Sequence, residues 1–170
     1  MAANDTRTNH PAQGHQTLAG KYLTFVLGNE EYGLSILKVR EIIGIMEITG
    51  MPNLPPAFKG VINLRDRVIP IMDLRSRFDM PTCEYTGRTC IVVVEVATGA
   101  GLRPMGVVVD SVAEVVHYVA EEIEPPPAFG GELDSHYLLG MAKRNGQVRI
   151  LLDIDQVVNT QEPIALAQAA

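Results

Sequence analysis

The chain has 170 residues, is 46% apolar and 20% charged, and carries a formal net charge of −6 at pH 7. This composition fits one soluble globular domain, and the acidic balance argues against nucleic acid or an anionic membrane surface, which attract basic footprints. No run approaches the roughly 18 apolar residues of a membrane span, and residues 1–20 lack the apolar core of a signal peptide, so a cytoplasmic protein that meets other proteins is expected.

Residues 1–20 are small and polar, and predict a flexible tail that cannot repay the entropy of ordering. Order is expected from Lys21. In "KYLTFVLG", Tyr22, Thr24 and Val26 alternate with Leu23, Phe25 and Leu27 as in a strand, and "GNEEYG" reads as a tight hairpin. In "LSILKVREIIGIMEI", Ser35 can cap a short helical turn, and from Glu41 the run "IIGIMEI" predicts a strand. The prolines of "TGMPNLPPAF" make it a loop.

"GVINL" and "RVIPIMDL" predict two strands joined at Arg65-Asp66-Arg67, with Pro70 implying an edge or a bulge. "DLRSRF" predicts a helical turn capped by Asp73. The loop near residues 79–87 is a candidate boundary between two small barrels. "TCIVVVEVA", "RPMGVVVDSV" and "AEVVHYV" are strand-like, and "EEIEPPPAFGGELDSHY" is a loop. "LLGMAKRNGQVRILLDI" predicts a hairpin turning at Asn145-Gly146, a pair suited to the positive φ angles of a type I′ turn. Asp155 can cap a last helix, "QVVNT", before a C-terminal tail at 160–170. About ten short strands separated by turns indicate an all-β barrel class with a few short helices. With no Trp and 5% aromatics, the core is expected to be aliphatic. No sequence repeat is close enough to establish duplication.

Chemistry finds little footing. Cys83 and Cys90 have no second pair and no nearby histidine, and read as reduced thiols. His10 and His15 lie in the tail, His117 in a strand pattern, and His136 in a loop beside Asp134. Asp153 and Asp155 share a strand face, an arrangement open to acid–base work but better explained by solvation and helix capping. Asp110 ends "GVVVD", where receiver domains place a phosphoryl acceptor, but the acidic pair and alternating helices of a receiver are missing. No nucleotide or zinc-protease motif is present. An enzyme is not expected, nor a metal or cofactor.

"FVLGNEEYGLSILKVREI", "FKGVINLRDRVIPIMDLRSRF", "GVVVDSVAEV" and "YLLGMAKRNGQVRILLDIDQVV", in this order and spacing, resemble the CheW family of chemotaxis adaptors. The resemblance runs from about Tyr22 to Asn159 and defines a CheW-like domain over 21–159. It implies two five-stranded SH3-like β-barrels packed side by side, with no enzymatic activity. It implies a cytoplasmic adaptor in membrane-bound receptor arrays, coupling the cytoplasmic tip of methyl-accepting chemoreceptors to the regulatory domain of the histidine kinase CheA. Contacts with other CheW-like domains in rings are implied as well. A scaffold serving another chemosensory pathway, with its own receptor and kinase, shares the same residues. Carried over by motif, the receptor-binding positions are Val39, Glu41 and Gly44 around "LKVREI", Arg65 in "NLRD", and Val115 in "VVVDSVAEV".

One position departs from the family pattern. Asp66 stands where the family has Gly after the arginine, in a turn that needs positive φ. The charges threaded through Gly60–Phe78 therefore read as decoration of a binding surface. Arg67, Arg75 and Arg77 are expected on a solvated face. Glu41 and Arg65 are expected at a partner surface, or paired with one another.

Overall fold

The computed structural model describes residues 18–126 and 136–159. Residues 1–17 and 160–170 of the two expected tails, His10, His15, Asp134 and most of the proline-rich loop lie outside them. β1 (Gly20–Leu27) and β2 (Glu30–Ser35) pair antiparallel across a tight turn at Gly28-Asn29, with Gly28 at φ 61°. The Ser35 side chain then accepts a hydrogen bond from Leu37 N and opens a 3-10 turn over Ile36–Lys38. β3 (Val39–Gly44) follows. It does not continue through "IMEI", because its ladder partner begins at Cys90, opposite Gly44. Ile45 and Ile48 instead pack onto a small core.

β4 (Phe58–Leu64) and β5 (Arg67–Asp73) form the expected hairpin, and Asp73 caps α1 (Leu74–Arg77) by accepting from Arg75 N at 2.9 Å. β6 (Cys90–Thr98), β7 (Gly101–Val109) and β8 (Ser111–Tyr118) are consecutive. The short β9 (Ile123–Glu124), the hairpin β10 (Leu138–Arg144) and β11 (Gln147–Leu152), and α2 (Ile154–Asn159) complete the described chain. Asn145 and Gly146 sit at φ 53° and 77°, the geometry expected of that turn. The cap of α2 is Asp153, whose carboxylate accepts from Gln156 N, and not Asp155. Asp155 lies inside the helix and bonds elsewhere.

The strands form two sheets, ordered β8-β1-β2-β11-β10-β9 and β3-β6-β7-β5-β4. Leaving aside the two-residue β9, each holds five strands in the same arrangement, as the expected pair of barrel lobes requires. A register-true repeat underlies this. The bulge pairing Phe58 with Met72 and Gly60 with Ile71 recurs as Leu138 with Leu152 and Gly140 with Leu151. The parallel pair Ile71–Gly106 recurs as Leu151–Gly33, and at both glycines an added Cβ would press on the facing side chain, which would have to shift. Sequence identity across this repeat is too low to have announced it.

The lobes also exchange strands. β3 follows β2 in the chain yet pairs with β6, and β8 follows β7 yet pairs with β1. The chain therefore crosses between lobes around Ser35–Val39 and Val109–Ser111. The segment 79–87, expected to divide them, connects α1 to β6 within the five-stranded lobe. Pro70, expected at an edge or a bulge, sits beside the β4–β5 bulge at Gly60 and Ile71, on a strand that lies between β7 and β4. It is tolerated because pairing with β7 begins only at Ile71, so no ladder bond to β7 is lost there.

Among the described residues, three apolar clusters hold the molecule. One fills the five-stranded lobe with Ile62, Ile69, Ile71, Ile91, Val93 and Val108. A second fills the other lobe with Tyr22, Val116, Tyr118, Ala142 and Leu151. The largest is shared by both sheets. It is not purely aliphatic: Phe25, Tyr32, Phe78 and Tyr137 run through it with successive ring centroids 5.8, 6.1 and 6.0 Å apart.

Candidate functional site

β3 is an edge strand of the five-stranded sheet, and it carries a one-residue bulge: Val39 faces Val94, Glu41 faces Val93, and Arg40 has no opposite number. The bulge re-aims the strand. Val39 packs against the shared core, Arg40 reaches Glu95 at 2.9 Å, and Glu41 turns toward the β4–β5 turn. That turn is as tight as the pairing of Leu64 with Arg67 allows, and both of its residues are left-handed, Arg65 at φ 49° and Asp66 at φ 63°. Asp66 thus adopts the conformation that glycine would take there.

The turn delivers Arg65 to Glu41. Arg65 Nη1 donates to Oε2 at 2.7 Å and to Oε1 at 3.0 Å. This hydrogen bonding raises the guanidinium pKa further, so the arginine stays charged. The Arg65 side chain is 72% exposed, against 30% for Glu41. The pair borders a shallow cleft of about 200 Å³, with Arg40, Arg65 and Arg67 around it and Leu64, Ile69, Val93 and Pro104 as apolar lining.

Of the five expected positions, the structure brings Glu41 and Arg65 into contact and sets Val39 and Gly44 on the same strand. Gly44 ends β3 with open space around the place a Cβ would take. Val115 lies on β8 of the other sheet and is 51% exposed. β8 is also an edge strand, with the same bulge: Val112 and Glu114 face Phe25 and Thr24, and Ala113 is extra. Val115 is therefore the counterpart of Ile42, the exposed residue next to Glu41. Sequence reasoning passed over Ile42, Arg40 and the cleft lining, because the bulge that orders them is visible only once β3 is paired.

Most of the remaining candidates have structural occupations. Arg75 is not on a solvated face: Nε and Nη2 grip Asp110 at 2.7 and 2.5 Å, and Nη1 donates to the Pro81 carbonyl at 2.9 Å. Gly28 N donates to the same carboxylate at 2.8 Å. These bonds, that of Arg75 foremost, hold the Asp110 pKa below its ordinary value even though burial acts the other way. Arg77 is buried, donates from Nε to the Val157 carbonyl at 2.7 Å, and has its pKa lowered by burial. Arg67 is exposed, as expected. Asp155 accepts from Ala97 N at 2.9 Å and from Lys38 Nζ at 2.7 Å. His117 is exposed on β8, and its carbonyl accepts from Arg144. Cys83 and Cys90 are free thiols. Among the described residues no group of three or more His, Cys, Asp or Glu is gathered for a metal, and no helix is long and apolar enough to cross a membrane.

Residues 21–162 match the family of CheW-like domains. The chain is 40% identical over 147 residues to the chemotaxis protein CheW of Klebsiella aerogenes, with 86% of each chain covered. It is 33% identical over 152 residues to the chemotaxis protein CheW of Rhizobium meliloti, covering 89% of this chain and 96% of that one. Among solved structures, the scaffolding protein TtCheW of Thermoanaerobacter tengcongensis aligns with a TM-score of 0.75 at 30% identity, over 86% of this chain and 98% of that chain.

Proposed function

The chain belongs to the CheW family of chemotaxis scaffolds, and from that premise we propose that it couples the cytoplasmic tips of chemoreceptors to the regulatory domain of the histidine kinase CheA. It does so without catalysis, as a cytoplasmic component of membrane-bound receptor arrays, where CheW-like domains of its own kind are further neighbours. The observation that carries this reading is the Glu41–Arg65 pair at the rim of an open cleft on an edge strand. Exposed charge beside apolar lining binds a protein surface; charge at an interface rim steers association and fixes register. Val39, Glu41, Gly44, Arg65 and Val115 make up the receptor-facing set in this proposal. Val39, Glu41 and Gly44 come from β3, Val115 from β8 and Arg65 from the β4–β5 turn, while the shared core fixes one lobe against the other.

Co-sedimentation tests it. Receptor-bearing membranes are mixed with the kinase, with and without this protein. The expected result is that the protein pellets with the membranes and carries additional kinase with it. Failure of the protein to pellet, or kinase pelleting to the same extent without it, would overturn the proposal.

A further inference from the structure

The two lobes share register, bulges and caps, so a side chain that one of them lacks is not demanded by the fold they have in common. Gly60 and Gly140 both follow a bulge, Asp73 and Asp153 both cap a helix, and Glu41 and Glu114 occupy the same place on bulged edge strands. The hairpin tips break this agreement. Asn145, Gly146 and Gln147 in one lobe stand where Arg65, Asp66 and Arg67 stand in the other. The uncharged tip makes the same left-handed turn, so folding does not require the charges.

Two of the three cations around the cleft are already occupied. Arg40 pairs with Glu95, and Arg65 with Glu41. Arg67 lines the same cleft, is exposed, and among the described residues forms neither an ion pair nor a side-chain hydrogen bond. We infer that Arg67 receives an acidic side chain of the docking partner, and that an apolar side chain next to that acid enters the cleft over Leu64, Ile69, Val93 and Pro104. The inference deepens the proposed function and rests on it: the partner is the receptor tip, and the chemistry recognised is a carboxylate beside an aliphatic residue. A planar guanidinium suits such a contact because it can grip a carboxylate with two parallel bonds.

The test titrates a soluble fragment of the receptor tip against the wild type and three single variants: Arg67→Gln, which installs the residue of the other lobe, Arg67→Glu, and Arg103→Gln as an exposed control arginine on β7. Both Arg67 variants should melt as the wild type does. Arg67→Gln should weaken binding about fivefold and Arg67→Glu more, with Arg103→Gln near wild type. The fall in affinity on raising salt from about 0.05 to 0.5 M should be shallower for Arg67→Gln than for the wild type. If the Arg67 variants bind no worse than Arg103→Gln while Arg65→Ala does weaken binding, the Arg67 inference fails and the receptor-facing surface stands. If Arg65→Ala, Glu41→Ala and both Arg67 variants all bind normally, the surface itself is misplaced and both readings fall.

Discussion

Arg75 holds Asp110 with two hydrogen bonds, at 2.7 and 2.5 Å, at the point where the chain leaves the five-stranded lobe and enters the other. The opposite crossing is fastened with reversed polarity: Lys38, just before β3, meets Asp155 at 2.7 Å. Asp155 has the same place in α2 that Arg75 has in α1, the second residue after the capping aspartate. Each strand exchange is thus tied to one of the two short helices. The Arg75 side chain is 17% exposed, so its loss leaves Asp110 short of partners in a half-buried place. Arg75→Ala should cost about 1–3 kcal/mol of stability, and Lys38→Met under about 1 kcal/mol because that pair is wetter. Urea unfolding of the two variants beside the wild type measures both.

The same clamp sets a pH dependence. The Asp110 carboxyl is lowered from 3.8 chiefly by the hydrogen bonds from Arg75. A carboxyl lowered on folding contributes stability at pH above its unfolded value, and loses that contribution as pH falls through its folded value. Between about pH 5 and pH 2 the wild type should therefore lose stability more steeply than Asp110→Asn, which has no proton to take up there. Chemical denaturation repeated across that range gives the two slopes.

Arg65→Ala and Glu41→Ala should fold normally, with melting temperatures within about 2 °C of the wild type, as exposed substitutions do. Each should weaken receptor-tip binding roughly five- to tenfold while sparing kinase binding. Because the two side chains are hydrogen-bonded to one another, the double variant should lose little more than either single one. Lowered melting with unchanged binding would mean that the pair only braces the β4–β5 turn.

Asp66 occupies φ 63° next to Arg65 at φ 49°, a costly neighbourhood for two residues with side chains. Asp66→Gly should raise stability by up to about 1 kcal/mol, by relieving that conformation. It also removes a negative charge beside Arg65, so receptor affinity should stay equal or rise. A thermal melt and one titration suffice; a drop in either would show that the Asp66 side chain holds the turn.

The strands were legible because period-two alternation and turn chemistry are local, as the Asn145-Gly146 turn and the Ser35 and Asp73 caps illustrate. What local patterns did not reveal was pairing. Pro70 pointed to an edge or a bulge, and sequence could not choose between them because it does not show where a second ladder begins. Arg75 and Arg77 looked solvated because Asp110 and Val157, their partners, are distant in the chain. Asp155 looked like a cap because two aspartates stood near one helix start, and only the fold gives Asp155 its bonds to Lys38 and Ala97. Glu41 and Arg65 were nominated by family motifs, and their contact with one another was one of the two alternatives expected; Arg67 and Ile42 needed the register of the sheets to be noticed.

The adaptor reading is tested most directly by receptor control of the kinase. Membranes bearing receptors are combined with CheA, and kinase autophosphorylation is followed with and without this protein, with and without receptor ligand. The account predicts that ligand changes the rate only when the protein is present, and that Arg65→Ala and Arg67→Glu both blunt the change. Equal ligand control in its absence, or none in its presence, would contradict it.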